Sequence, residues 1–167
     1  MANTDYSIIV RQGLALTEGV TNLISNLANI SSLVFHSLEK VNWAGFYLAD
    51  ADHDRLLLGP FQGRPACTVI PFGKGVCGTA FQSGEPVIVP DVRLFPGHIA
   101  CDPESLSEIV IPFRFGGCAG VLDIDSPETG RFSENDKNGL VKLISALEKQ
   151  WSCDGLKIGK HYVETLN

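Results

Sequence analysis

The sequence predicts a single α+β domain, with a central antiparallel sheet of five to six strands and the N- and C-terminal helices packed on one side. Three observations support this class. Helical periodicity occupies both ends of the chain, short apolar segments separated by turns fill the middle, and 167 residues suit one domain. We expect the domain to span residues 1–151, with helices over 5–40, the sheet and its loops over 42–132, a helix over 133–151, and an extension over 152–167.

The composition narrows the classes of function. Hydrophobic residues make up 44% of the chain, and 13 Lys and Arg against 19 Asp and Glu give a net charge of -6. Nucleic-acid and anionic-membrane surfaces need clustered positive charge, so neither partner is expected. No apolar run reaches the roughly 20 residues that cross a bilayer, and the N-terminus has no secretory signal. We therefore expect a cytoplasmic protein.

The N-terminal region has the pattern of amphipathic helices. Apolar residues recur at steps of three and four from Val20 to Leu38, while Asn22 and its polar neighbours fall between them. Gly13 and Gly19 interrupt this region, which predicts two helices rather than one.

Short strands separated by turns are predicted for the middle of the chain. The strand candidates are residues 43–48, 55–58, 67–71, 85–89, 107–113 and 118–124, of which the first two form a hairpin. The glycine-rich residues 73–80 are expected to open a short helix that ends at 83–84. Residues 91–104 form a long loop, and loops of this length are usually functional or flexible.

The last helix has a recognisable beginning and a buried face. Ser133 and Asp136 have the spacing of a capping box, in which each side chain bonds the other's backbone. Apolar residues then follow along one helical face at Leu140, Ile144, Leu147 and Trp151.

The five cysteines are the first candidates for chemistry. An odd number without a secretory signal fits a reducing compartment better than a disulfide framework. No C-x-x-C knuckle is present, so we predict no metal site. Redox chemistry and inert burial both remain open for these thiols, and Cys118 and Cys153 look incidental.

Two cysteines have positions that favour reactivity. Cys101 lies beside Asp102 in the long loop, where an accessible polar setting lowers a thiol pKa; an ordinary loop with a spare thiol explains it equally well. Cys77 lies where a helix begins, a place that stabilises thiolates. The glycine pattern around Cys77 also matches a dinucleotide fingerprint by letter, but no convincing βαβ unit surrounds it.

Acidic and aromatic residues form a second candidate group. Asp123 and Asp125 alternate along one strand, so their side chains share a face, and Glu108 on the neighbouring strand can approach them. Such a trio binds an ammonium group or, less often, a metal; solvent-facing acids are the plain alternative. Trp43 and Tyr47 also share a strand face, and their plain alternative is a place in the core.

Several motifs together resemble one family, the free methionine-R-sulfoxide reductases, which are small stand-alone GAF-type domains. The resemblance runs from residue 42 to residue 132. It rests on the segments 59–67, Gly75-Val76-Cys77-Gly78-Thr79, Pro90-Asp91-Val92, Phe95-Pro96-Gly97-His98-Ile99-Ala100-Cys101-Asp102, Ser107-Glu108-Ile109-Val110 and Val121-Leu122-Asp123-Ile124-Asp125-Ser126.

The resemblance implies roles for the three cysteines. Cys101 corresponds to the catalytic cysteine, whose thiolate attacks the sulfoxide sulfur and becomes a sulfenic acid. Cys67 corresponds to the resolving cysteine, which condenses with that sulfenic acid to form a disulfide that thioredoxin reduces. Cys77 corresponds to the third cysteine, an auxiliary partner in disulfide exchange.

The resemblance also implies a substrate pocket and an assembly. Glu108, Asp123 and Asp125 correspond to an acidic cluster that binds the substrate ammonium and protonates the sulfoxide oxygen. Trp43 and Tyr47 correspond to aromatic residues that enclose the S-methyl group. The family implies a homodimer that needs no cofactor and that acts on the free amino acid. The rival interpretations are a GAF sensor that binds a small ligand without catalysis and a purely structural module.

Overall fold

The structure is a computed structural model, and it describes residues 4–115 and 117–153. Four α-helices and six strands form within these ranges. They are, in chain order, α1 (Tyr6–Thr17), α2 (Leu23–Ser37), β1 (Trp43–Asp50), β2 (Arg55–Gly63), β3 (Val69–Pro71), α3 (Gly75–Ser83), β4 (Val87–Val89), β5 (Ser107–Phe115), β6 (Cys118–Ser126) and α4 (Glu134–Cys153). Most of the predicted extension, residues 154–167, lies outside the described residues.

All neighbouring strands pair antiparallel, in the order β3-β2-β1-β6-β5-β4. The register of the strands places three of the predicted site residues side by side. Asp125 on β6 pairs with Trp43 on β1 and, on its other side, with Glu108 on β5. Paired residues point to the same face of a sheet, so these three side chains form a row across its middle.

Helices α1, α2 and α4 cover one face of the sheet, as predicted. Alternation along β5 explains the division of faces: Ile109 and Ile111 enter the core under the helices, whereas Glu108 and Val110 point to the opposite face. Leu27 and Trp151 are among the fully buried residues contributed by the helices. Of the described helices, none is both long and apolar enough to cross a membrane.

The predicted capping box at the start of α4 is confirmed. The Ser133 backbone N–H donates to Asp136 Oδ2 at 2.8 Å, and the Asp136 N–H donates to Ser133 Oγ at 3.3 Å. The Tyr6 hydroxyl donates to the other oxygen of Asp136 at 2.7 Å. One carboxylate therefore both caps α4 and ties it to α1.

The two predicted N-terminal helices are also confirmed, although the two glycines play different parts. Gly19 has a φ of +69° between the helices, a conformation that favours glycine and interrupts the helical path. Gly13 lies inside α1, where an added Cβ would be 3.0 Å from Leu143 Cδ1. Gly13 therefore permits close packing of α1 on α4.

Two predicted strands are shorter in the structure, at Val69–Pro71 and Val87–Val89. Both are edge strands, and each pairs with only three residues of the longer strand beside it, β3 with residues 55–57 and β4 with residues 108–110. The strand predicted over 107–113 instead continues to Phe115, where it still pairs with Cys118.

Candidate active site

A pocket opens on the face of the sheet opposite α1, α2 and α4. Its floor comes from β1, β5 and β6, one wall from the start of α3, and the other wall from residues 98–105 of the long loop. Every site residue predicted from the sequence lines this pocket except Cys67, which is bonded to a lining residue. The sheet register and the two walls bring together residues that are up to 82 positions apart, from Trp43 to Asp125.

Cys67 and Cys101 form a disulfide between the segment that follows β2 and the long loop. Their Cα atoms lie 5.3 Å apart, within the range that a disulfide spans. Both residues are partly buried, and Cys101 faces the pocket. The wall of the pocket therefore carries a disulfide.

Three carboxyl groups lie together on the pocket floor. Glu108 and Asp123 are each only 6% exposed, and Asp125 is partly buried. Burial raises the pKa of Glu108 well above its usual value, and the charges of Asp123 and Asp125 raise it further. Burial likewise raises the pKa of Asp123 to about 7 and that of Asp125 well above its usual value. At neutral pH this cluster therefore retains protons.

Cys77 lies in the first turn of α3 and contacts the acidic cluster. Its thiol donates to Glu108 Oε1, with 3.7 Å between the sulfur and the oxygen. The sequence placed Cys77 where a helix start stabilises a thiolate, but the structure shows the opposite effect. Burial, followed by the charges of Asp123 and Glu108, raises the pKa of Cys77 well above its usual value. These effects outweigh the helix dipole.

Trp43 and Tyr47 line the pocket and are also buried in the core on this side of the sheet. Trp43 stacks on Tyr47 with ring centroids 5.9 Å apart. The Trp43 Nε1–H donates to the carbonyl of Arg64 at 3.1 Å, and the Tyr47 hydroxyl donates to the carbonyl of Cys67 at 3.0 Å. Both rings therefore line the pocket and hold in place the segment that carries Cys67.

His98 belongs to the family motif but had no role predicted from the sequence, and the structure places it in the pocket. Its Nε2 atom lies 3.9 Å from Glu108 Oε2, and burial lowers the pKa of His98. The position of His98 three residues before Cys101 was the available sequence signal. It could not show on which side of the loop the ring would lie.

Two carboxylate oxygens at the pocket have no hydrogen-bond partner. They are Asp123 Oδ1 and Asp102 Oδ2, both buried. No lysine or arginine lines the described part of the pocket. Arg64, in the segment that follows β2, pairs with Glu104 at 2.9 Å. The pocket therefore offers acceptors to a positively charged or hydrogen-bond-donating ligand.

The glycine-rich stretch does not form a dinucleotide site. That fingerprint belongs to a βαβ unit with parallel strands, whereas every strand pair in the described chain is antiparallel. Gly73 and Gly75 have φ values of +72° and +60°, which make the tight turn into α3. A Cβ on Gly78 would clash with the Pro71 carbonyl, so the glycines serve this turn.

Sequence similarity assigns the family. The profile of the GAF domain matches residues 25–147. Protein YtsP of Bacillus subtilis is 54% identical over 146 residues, which cover 87% of this chain and 90% of that protein. The free methionine-R-sulfoxide reductase of Escherichia coli is 48% identical over 145 residues, which cover 86% and 87% respectively. The chain belongs to the GAF-domain family of free methionine-R-sulfoxide reductases.

Structural similarity to the free methionine-R-sulfoxide reductases is equally extensive. The X-ray structure of the Neisseria meningitidis reductase in complex with its substrate has a TM-score of 0.84 and 42% identity. The match covers 90% of this chain and 92% of that one. The family and the fold expected from the sequence motifs are thus confirmed.

Cys118 has no place in the reductase pocket. It lies at the start of β6, where burial raises the pKa of its thiol and its nearest polar partner is the Ala119 carbonyl. The Cys153 side chain lies outside the described residues. Cys118 is therefore a useful control cysteine for experiments on Cys67, Cys77 and Cys101.

Proposed function

We propose that this protein reduces free L-methionine-R-sulfoxide to L-methionine, as a step in antioxidant methionine repair. The observation that carries the proposal is the disulfide-bonded Cys101 at the wall of a pocket whose floor is a largely buried acidic cluster. Family membership supplies the substrate, since relatives of similar length are named for this reaction.

In the first half-reaction the Cys101 thiolate attacks the sulfoxide sulfur. The oxygen accepts a proton from the acidic cluster and ends on Cys101 as a sulfenic acid, while methionine is released. Glu108 is the proton donor in this proposal because its raised pKa keeps it protonated at neutral pH. One substrate molecule is thus reduced by two electrons, and the Cys101 sulfur is oxidised by the same two.

In the second half-reaction the Cys67 thiol attacks the sulfenic sulfur of Cys101. A water molecule leaves with the former sulfoxide oxygen, and the Cys67–Cys101 disulfide forms. The bond between Cys67 and Cys101 in the structure supports this role, since it is the product that this step forms. Thioredoxin returns both thiols to the reduced state by disulfide exchange.

The remaining lining residues recognise the amino acid. An ionised carboxylate of Asp123 or Asp125 pairs with the substrate ammonium, for which the unpartnered Asp123 Oδ1 is a ready acceptor. Trp43 and Tyr47 enclose the S-methyl group. Backbone N–H groups at the start of α3, where Gly75 and Val76 line the pocket, receive the substrate carboxylate.

This recognition explains a preference for the free amino acid. A methionine within a peptide has no free ammonium and carboxylate, so binding it would leave buried carboxyl oxygens of the pocket without a partner. We also assign Cys77 an auxiliary part in disulfide exchange. The enzyme is proposed to act as a cytoplasmic homodimer, with residues 1–151 as the catalytic domain and residues 152–167 as an extension.

The test is turnover with thioredoxin, its reductase and NADPH, with each resolved diastereomer of free methionine sulfoxide and a peptide sulfoxide as separate substrates. NADPH loss with the free R form alone is the expected result. Activity on the peptide would contradict the recognition argument. A folded, reduced protein that is inactive on every substrate would overturn the proposal, and saturable ligand binding without reduction would favour the GAF sensor.

A further inference from the structure

Three potential metal ligands meet in the pocket from three separate elements. They are the Cys77 sulfur from α3, a Glu108 oxygen from β5 and an Asp123 oxygen from β6, and these atoms all lie within 4.8 Å of one another. Each of the three residues is buried. A thiolate with two carboxylates is a donor set that suits Zn²⁺ and similar borderline cations.

One measured separation matches the geometry of tetrahedral zinc. With a Zn–S bond of about 2.3 Å and a Zn–O bond of about 2.1 Å, a tetrahedral angle places sulfur and oxygen about 3.6 Å apart. The Cys77 sulfur and Glu108 Oε1 are 3.7 Å apart. A cation can therefore join these two atoms without a change in their separation, and the Asp123 oxygen lies within 4.8 Å of both.

A separate observation indicates that the cluster is built to receive a ligand. Asp123 Oδ1 has no hydrogen-bond partner although the residue is only 6% exposed. An unpaired buried carboxylate oxygen is costly, and a cation at this point relieves that cost. The described pocket lining provides no lysine or arginine to do so.

We propose that Cys77, Glu108 and Asp123 bind a borderline divalent cation such as Zn²⁺, and that they do so in the disulfide form of the protein. In that form Cys67 and Cys101 are bonded, so Cys77 is the thiol that the described pocket retains. Binding displaces the Cys77 proton and those held by the two carboxyls, and no electron moves. The pocket side of the cation stays open to water.

The bound cation occupies the position proposed for the substrate ammonium. This overlap with the ammonium position rests on the proposed function, whereas cation binding itself does not. From the sequence, a metal was only the less frequent ligand of the acidic trio Glu108, Asp123 and Asp125, and Cys77 was not among the expected ligands. Here the ligands come from three elements and meet only through the packing of α3 on β5 and β6.

The test uses Co²⁺ as a spectroscopic probe on the full-length, oxidised protein, without turnover. Thiolate-to-cobalt charge-transfer absorption is expected in the wild type, and Zn²⁺ should displace it. Cys77→Ser should abolish the band. Cys118→Ser, which removes a cysteine outside the pocket, should retain it.

Either of two results would overturn the proposal: no charge-transfer band in the wild type, or a band that persists in Cys77→Ser. Should Cys77→Ser fail to fold by circular dichroism, Asp123→Asn serves instead, because it keeps the thiol. It should weaken Zn²⁺ binding by more than about tenfold, since it alters a ligand itself. Unchanged affinity in that variant would equally overturn the site. Because these readouts need no catalysis, they remain informative if the reductase assay fails.

Discussion

Replacement of Glu108 by Gln tests the proposed proton donor. Glutamine has the same shape, and its amide oxygen can still accept from the Cys77 thiol, which now donates to Glu108 Oε1 at 3.7 Å. The change therefore removes the acidic proton but preserves the packing of a residue that is 6% exposed. General acid catalysis contributes about 10²–10⁴-fold, so the first half-reaction should slow by that factor, equivalent to about 3–5 kcal/mol of barrier.

The assay is a single turnover of the reduced protein with free methionine-R-sulfoxide, in which methionine is quantified over time across a range of pH. The pKa of Glu108 is raised in the folded protein, so its proton is present at neutral pH and is lost as the pH rises through that raised value. The wild-type rate should therefore decline at alkaline pH. Glu108→Gln should be slow throughout and lack this decline.

The same substitution at a glutamate outside the pocket serves as a matched control. Glu128 is an exposed glutamate that pairs with Lys40 at 2.8 Å, and Glu128→Gln should leave the single-turnover rate and its pH profile unchanged. A Glu108→Gln protein that is folded and retains both the wild-type rate and the alkaline decline would refute the assignment. The proton would then come from Asp123, Asp125 or water.

Three further outcomes are expected. Cys67→Ser should release one methionine per protein and stop, with Cys101 trapped as a sulfenic acid that dimedone labels; loss of that first turnover would contradict the resolving role. Asp123→Asn should raise the free energy of unfolding above that of the wild type, and by more at pH 8 than at pH 4. The pKa of Asp123 is raised from 3.8 to about 7 in the folded protein, so the protonated carboxyl favours the folded state. This contribution to the wild-type free energy of unfolding is present below pH 4 and is lost as the pH rises to 7, by up to about 4 kcal/mol. If denaturant titrations gave the same difference in free energy of unfolding between variant and wild type at both pH values, the raised pKa of Asp123 would be contradicted. Gly139→Ala should lower the melting temperature, with a loss of about 1–3 kcal/mol, because the new Cβ overlaps the Tyr6 ring; an unchanged melting temperature would show that the helices separate freely.

Local patterns were sufficient to predict much of the fold. The β1–β2 hairpin and the box formed by Ser133 and Asp136 depend on residues close in sequence, and both are present. Alternation along one strand also placed Asp123 and Asp125 on one face, where both line the pocket. The starts of β3 and β4 were predicted two residues too early, at 67 and 85, because composition does not show which residues of an edge strand pair with its neighbour.

The parts of the site that depend on packing between distant segments were not predictable from local patterns. The thiol of Cys77 reaches Glu108 because α3 lies across β5, and His98 reaches the same carboxyl because the long loop folds over the pocket. The pairing of Cys67 with Cys101 came from the family resemblance. Spacing alone left the partners of all five cysteines open.

In the proposed mechanism Cys101 reduces the free sulfoxide and Cys67 resolves the sulfenic acid that results. The most direct test mixes the fully reduced protein with one equivalent of free methionine-R-sulfoxide without thioredoxin, then maps disulfides by mass spectrometry. We expect one methionine per protein and a peptide pair linked through Cys67 and Cys101, the bond present in the structure. Methionine formed with a disulfide between other cysteines, or no methionine at all, would contradict it.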